Sequence, residues 1–102
     1  MSVVVVATIR PVPGHQDEVL AALRNAVGQV HAEDGCELYA LHQADDRLVM
    51  IERWASAEAL KVHSKGPNLV ALNSALAGLV AGAPEVVVLT AVPAGDPAKG
   101  QL

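Results

Sequence analysis

Aromatic residues and cysteine are almost absent from this chain of 102 residues. Phenylalanine is missing altogether, and Tyr39 and Trp54 are the two large aromatic side chains. Cys36 is the single cysteine, which excludes an intrachain disulfide and a metal site built from several cysteines. We expect Cys36 to be a small buried apolar residue at the start of a strand. Since 52% of the residues are hydrophobic, the core must be largely aliphatic.

Positive charge is also scarce. The chain has 7 Lys and Arg residues against 11 Asp and Glu residues, which leaves a formal charge of −4. Nucleic-acid binding needs clustered cations, so this balance argues against a nucleic-acid partner. The sequence shows no apolar run long enough to cross a bilayer, no polybasic patch and no signal-peptide pattern. We therefore expect a cytoplasmic protein without a membrane partner.

Residue spacing in the first half of the chain predicts two changes of secondary structure. Residues 3–9 are a β-branched run that is too short for a helix, which predicts a first strand. Apolar residues then recur at helical spacing over residues 15–30, and Asp34-Gly35 ends this helix. Residues 37–44 and 47–54 are strand-like and flank Asp45-Asp46, which predicts a tight hairpin.

The second half predicts a broken helix and a last strand. Ser56 is a candidate N-cap, and Gly66-Pro67 interrupts the helix that follows, because proline lacks the N–H donor. Leucines at helical spacing then continue toward Pro84, and residues 85–92 predict the last strand. We expect one domain over residues 1–92 and a flexible tail over residues 93–102.

The order of elements is β-α-β-β-α-β, which predicts a ferredoxin-like α+β fold with two helices on one face of an antiparallel sheet. Right-handed connections place the first and third strands in the middle of that sheet. The first and last strands are apolar on both faces, whereas the helices can cover only one. We therefore predict a homodimer that forms through the sheet face opposite the helices.

The hairpin register brings several chemically useful side chains to one face. A two-residue loop pairs Tyr39 with Glu52 and places Met50 and Trp54 on the same side of the sheet. His63 lies on the inward face of the second helix and could close this group from above. An apolar pocket with a few convergent polar groups is typical of a small-molecule site.

Each of these residues also has a purely structural interpretation. Trp54 could be a core anchor, Tyr39 and Glu52 could satisfy each other across the strands, and His63 could bond carbonyls freed at the helix break. The spacing of His and acidic residues gives no metal-ligand set, and no glycine-rich nucleotide loop is present. Nor does the sequence show a place for flavin or haem.

Two segments carry a resemblance to a known family, namely EDGCELYALHQ and, after the hairpin, RLVMIERWASAEALKVHSKGPNL. They contain a Gly-Cys pair and Tyr39 at the start of the second strand, a Glu-x-Trp at the end of the third, and Glu58-Ala59-Leu60 followed by His63. This pattern resembles the antibiotic biosynthesis monooxygenases. The resemblance implies a ferredoxin-like domain that assembles into a dimeric α+β barrel.

Members of that family oxidise quinols or phenolic polycycles with dioxygen and no bound cofactor. The resemblance implies that His63 is a base or proton shuttle, that Tyr39 and Trp54 orient an aromatic substrate, and that Glu52 fixes one of these partners. Met50 replaces the asparagine of polyketide-oxidising relatives. Asn68 stands where quinol-oxidising relatives often have a second histidine. We expect both residues to contact substrate, and quinol oxidation is the preferred enzymatic hypothesis.

Three other functions remain open at this point. The chain could be a small-molecule-binding or stress-related dimer without turnover, which would bind aromatic ligands and consume no oxygen. It could be an isomerase or degrading enzyme for a small carbonyl compound, which predicts a more cationic pocket. Haem degradation is the third, although the relatives that degrade haem have a tryptophan where this chain has His63.

Overall fold

The computed structural model describes residues 1–102. Its elements in chain order are β1 Val3–Ile9, α1 Gln16–His31, β2 Cys36–Gln43, β3 Leu48–Trp54, α2 Ala57–Lys65, α3 Pro67–Leu76 and β4 Glu85–Leu89. The predicted α+β class and the ferredoxin-like order are confirmed, with the second helix divided into α2 and α3. None of the helices has both the length and the apolar composition that a membrane span requires.

The four strands form one antiparallel sheet in the order β2-β3-β1-β4. β1 and β3 therefore occupy the middle, as the connection rule predicted. The hairpin between β2 and β3 has the predicted two-residue loop, since Ala44 N–H donates to the Arg47 carbonyl at 2.9 Å. The predicted pairing of Tyr39 with Glu52 is confirmed as well.

The three helices cover one face of the sheet with aliphatic side chains. α1 buries Val19, Leu23, Ala26 and Val30, which recur every three or four residues along one side of the helix. These residues pack with the strand residues that point to the same face and form the single hydrophobic core. The other face of the sheet contributes none of its side chains to that core.

The break between α2 and α3 follows directly from sequence. The Ser56 hydroxyl accepts a hydrogen bond from Ala59 N–H at 3.1 Å, so the predicted N-cap of α2 is confirmed. Gly66 ends α2 in an extended conformation, and Pro67 is the first residue of α3. Proline is tolerated there because the first N–H groups of a helix have no partner inside the helix.

Two predicted boundaries were wrong. The leucine-rich helix ends at Leu76 and does not continue to Pro84, because Gly78 adopts a φ of +80° that stops the helix. The segment that follows bonds to the loop between β1 and α1: Val12 N–H donates to the Leu79 carbonyl at 2.9 Å. β4 ends at Leu89 and does not reach residue 92, since Leu89 already pairs with Val4 near the start of β1.

Candidate active site

A cavity of about 250 Å³ lies between the sheet and the helices α2 and α3. Eleven of its sixteen lining residues are hydrophobic, and the wall contains no Lys or Arg. The five remaining residues of the wall are Tyr39, Glu52, His63, Ser64 and Asn73. This apolar space with a few polar groups is the form that small-molecule sites usually take.

The strands and the helix break position the polar wall. Alternation along β2 and β3 turns Tyr39, Met50 and Glu52 toward the helices, and all three are buried. His63 lies in the last turn of α2 and is 4% exposed. The predicted convergence of a phenol, a carboxyl group and an imidazole beside an apolar wall is therefore present in the structure.

The half-buried carboxylate of Glu33 holds the imidazole of His63. Nδ1 of His63 lies 3.0 Å from Oε1 and 3.2 Å from Oε2 of Glu33, just beyond the end of α1. Asn68 Nδ2 donates to Oε2 of the same carboxylate at 3.0 Å and to the Gln29 carbonyl at 3.2 Å. Since a carboxylate only accepts hydrogen bonds, Nδ1 carries the proton and the lone pair of the neutral ring is on Nε2.

Aromatic contacts fix the plane of the same imidazole. The indole of Trp54 stacks on His63, with ring centroids 4.4 Å apart and planes inclined by 30°. Tyr39 approaches His63 edge-on at 5.6 Å. Trp54 Nε1 donates to Oε1 of Glu52 at 2.8 Å, so Glu52 takes its hydrogen bond from the indole and not from its cross-strand neighbour Tyr39. The stacked indole and the Glu33 carboxylate together leave the imidazole little freedom to rotate.

Three polar atoms of the buried wall residues have no hydrogen-bond partner in the protein. They are the hydroxyl oxygen of Tyr39, Oε2 of Glu52 and Nε2 of His63. Every side-chain nitrogen or oxygen that is sealed from solvent does have a partner. These three atoms therefore contact accessible space, and their residues all line the cavity. A bound molecule can supply the missing partners.

Burial changes the acidity of two of these groups. Desolvation raises the pKa of the Glu52 carboxyl above its usual range, while the Trp54 N–H bond and the neighbouring His63 oppose the shift. Desolvation, with the charges of Glu52 and Glu33, also raises the pKa of the Tyr39 hydroxyl. Tyr39 is therefore a neutral phenol, which can donate a hydrogen bond into the cavity. No three His, Cys, Asp or Glu side chains come close enough to hold a metal ion.

The predicted site residues fall into two groups. Tyr39, Met50, Glu52 and His63 line the cavity. Trp54 is fully buried behind the wall, where it contacts His63 and Glu52, and Asn68 contacts Glu33 on the far side of His63. The structure therefore brings four of the six to the cavity itself. The substrate contacts assigned to all six from sequence stay predictions.

Glu33 is the residue that sequence reasoning missed. It follows the C-terminal end of α1, where the helix dipole disfavours negative charge. A carboxylate at such a position signals a specific donor, and here the donors are His63 and Asn68. Ser64 and Asn73 were also missed, and no spacing in the sequence marks them as wall residues.

The fold and the cavity define a small-molecule site on a ferredoxin-like scaffold. A family model described as antibiotic biosynthesis monooxygenase matches residues 2–74. A protein of Escherichia coli (strain K12) named “Probable quinol monooxygenase YgiN” is 34% identical over 87 residues, covering 72% of this chain and 84% of that protein. The chain belongs to the antibiotic biosynthesis monooxygenase family, as the resemblance predicted.

Solved structures agree with this assignment. Rv0793 from Mycobacterium tuberculosis is similar with a TM-score of 0.84 and 28% identity, covering 94% of this chain and 100% of that one. PA3566 from Pseudomonas aeruginosa gives a TM-score of 0.79 and 28% identity, covering 86% of this chain and 91% of that one. Rv0793 also carries the name of a monooxygenase. The family and these names indicate an oxidoreductase of the monooxygenase class.

Proposed function

We propose that this chain is a cofactor-independent monooxygenase that oxidises a quinol with dioxygen in the cavity beneath α2 and α3. One observation carries the proposal. His63 presents an unpartnered Nε2 to an apolar cavity, while its Nδ1 is held by the half-buried carboxylate of Glu33. An imidazole held in this way is suited to take a proton from a bound hydroxyl group.

The first step is proton transfer from a hydroxyl group of the quinol to Nε2 of His63. Glu33 stabilises the imidazolium that forms, since its carboxylate already accepts the Nδ1 proton. Trp54 keeps the ring plane fixed through its stacking contact. The neutral hydroxyl of Tyr39 can donate a hydrogen bond to the oxygen on which negative charge develops.

The second step is electron transfer from the deprotonated quinol to dioxygen. One oxygen atom forms a new C–O bond to the ring, and the other leaves as water. All four electrons that reduce dioxygen come from the substrate, so a quinol and dioxygen give a hydroxyquinone and water. The apolar wall contributes by keeping bulk water away from the electron-rich ring.

The size of the cavity favours a small substrate. Its volume of about 250 Å³ is slightly below the roughly 300–1,000 Å³ of most ligand pockets. A ring system of one or two rings suits this space better than a tetracyclic polyketide. The name of the Escherichia coli relative, which refers to a quinol, supports the same choice. An isomerase for small carbonyl compounds predicted a cationic pocket, and the wall contains no Lys or Arg.

The homodimer belongs to the same proposal. The sheet face opposite the helices carries half-buried or exposed apolar residues, among them Val6, Ile51 and Val87. A second copy packed against this face would remove these side chains from water. The proposed enzyme is cytoplasmic, and its tail, residues 93–102, lies outside the domain. Light scattering should give twice the chain mass of 10.5 kDa, and Val87→Asp should lower it toward the single-chain value.

Oxygen uptake tests the proposal. We would compare the native protein, His63→Ala and the control His15→Ala on reduced quinones and an anthrone, with a chelator present and autoxidation subtracted. His15 precedes α1, its half-exposed side chain bonds only Glu18, and it does not line the cavity, so its loss should leave uptake unchanged. Loss of His63 should lower kcat/KM by roughly 10²–10⁴-fold, the usual contribution of general base catalysis. With ¹⁸O₂, one labelled atom should appear in the product.

Two results would contradict the proposal. Equal uptake by the native protein and His63→Ala would remove His63 from the chemistry. No uptake above background with any reduced quinone, together with binding of the same compounds, would favour a binding dimer without turnover.

A further inference from the structure

We infer that Glu52 makes the cavity selective for uncharged aromatic diols and that it rejects the same ring when it carries a carboxylate. This inference rests on the proposed function, since it concerns the substrate class of the same cavity. One hydroxyl group of the ligand faces Nε2 of His63, and the second donates to Oε2 of Glu52.

Glu52 presents one free carboxyl oxygen to the cavity. Its side chain is 4% exposed, and Oε1 is engaged by the Trp54 N–H at 2.8 Å. Oε2 has no partner in the protein and contacts accessible space, on a residue that lines the cavity. The carboxyl group is therefore fixed by one oxygen and available by the other.

The charged groups around the cavity are negative. No cation forms an ion pair with Glu52, and the wall contains no Lys or Arg. Arg53, the next residue along β3, pairs with Glu37 at 3.1 Å on the opposite face of the sheet. A second carboxylate, Glu33, lies behind His63. At a pH above the raised pKa of Glu52, an anionic ligand would thus meet two carboxylates and no permanent positive charge.

The physical consequence is selection by charge and by donor count. Like charges repel strongly where water is excluded, so a ligand carboxylate beside Glu52 is disfavoured. A buried acceptor that a ligand leaves unpaired costs binding energy as well, which disfavours a ring with only one hydroxyl group. An uncharged ring with two hydroxyl groups satisfies both Glu52 and His63.

Anaerobic binding tests the selectivity without turnover. Trp54 is the single tryptophan and contacts both Glu52 and His63, so its fluorescence reports occupancy. The probes are 1,4-dihydroxynaphthalene, its 2-carboxylate and 1-naphthol. The native protein should bind the diol at least about tenfold more tightly than either of the other two, a difference of about 1.4 kcal/mol.

Glu52→Gln is the decisive variant, because the glutamine carbonyl can still accept the Trp54 N–H bond. It should tighten binding of the 2-carboxylate and reduce the preference for the diol to about threefold or less. Glu37→Gln is the matched control, since Glu37 is exposed and bonds Ser2 and Arg53 away from the cavity. It should keep the native preference. Melting curves would check that both variants fold.

Each outcome decides the inference. Equal affinity of the native protein for the diol and its 2-carboxylate overturns it, as does an unchanged preference in Glu52→Gln or no binding of the diol. Selective binding that depends on Glu52, together with no oxygen uptake, would keep this inference and reject the proposed monooxygenase.

Discussion

β3 and β4 both pair with β1, yet the two strands have very different surroundings. Residues of β3 alternate between buried and half-buried from Leu48 to Trp54, because the helices cover one of its faces. Every residue of β4 is exposed, including Val86 and Val88 on the helix side of the sheet. Val5 and Val88 are direct register partners, and they are 1% and 56% exposed.

This difference in burial between β3 and β4 gives the cavity a closely packed end and an exposed end. The groups that need fixed geometry, such as Glu52 and His63, lie at the well-packed end, where neighbours restrict their rotamers. Val86 lines the same cavity but is 57% exposed, so it lies at the mouth. Packing is densest around His63 and Glu52, and lowest at Val86.

Trp54→Ala should have the largest effect on stability. The substitution removes a fully buried indole, its stacking on His63 and its bond to Glu52, which together cost about 3–5 kcal/mol of unfolding free energy. Urea unfolding followed by circular dichroism measures this loss. A cost below about 1 kcal/mol would show that the packed end is no more ordered than β4.

The register pair of valines gives the most direct comparison of the two strands. Val5→Ala should lower the free energy of unfolding by about 2 kcal/mol, because it leaves a hole in the core. Val88→Ala should change it by less than about 0.5 kcal/mol. Thermal unfolding at several protein concentrations measures both. A larger cost at Val88 that depends on concentration would mean that a second copy covers β4 in solution.

Glu52→Gln should produce a smaller effect that depends on pH. Burial raises the pKa of the Glu52 carboxyl, so the folded chain holds this proton to higher pH than the unfolded chain does. Native stability is therefore lost as the pH rises from about 4.3, the unfolded value, through the raised folded value. The variant lacks this loss. It should gain stability over the native protein at pH 7, by about 1 kcal/mol, and none at pH 3.5. Equal differences at both pH values would contradict this account.

The sequence predicted the parts of the structure that depend on local pattern. The β-branched run gave the bounds of β1, and the two-residue loop gave the register that places Tyr39 opposite Glu52. The prediction of the end of α3 was wrong. Leu79 and its neighbours bond to a distant loop, and leucine spacing alone cannot show that contact. The leucine spacing therefore overestimated the length of this helix.

The candidate site shows the same limit. His63 was identifiable from the face of a helix and from the family resemblance, but Glu33 lies 30 residues away in sequence and meets it only in the folded chain. Asn68 was expected in the cavity on the resemblance alone. The break before Pro67 begins a new helix there, and Asn68 bonds Glu33 instead of lining the cavity. The contact between the His63 imidazole and the Glu33 carboxylate depends on tertiary packing that no local pattern records.

Because of the break at Gly66, two separate short helices contribute residues to the cavity. His63 lies on α2, whereas Leu69, Leu72 and Leu76 line the cavity from α3. Substitutions on α3 can therefore reshape the cavity while α2 keeps His63 on Glu33. A lineage can change what the cavity admits without rebuilding the contacts that hold His63, and an engineer can vary the same three leucines for the same purpose.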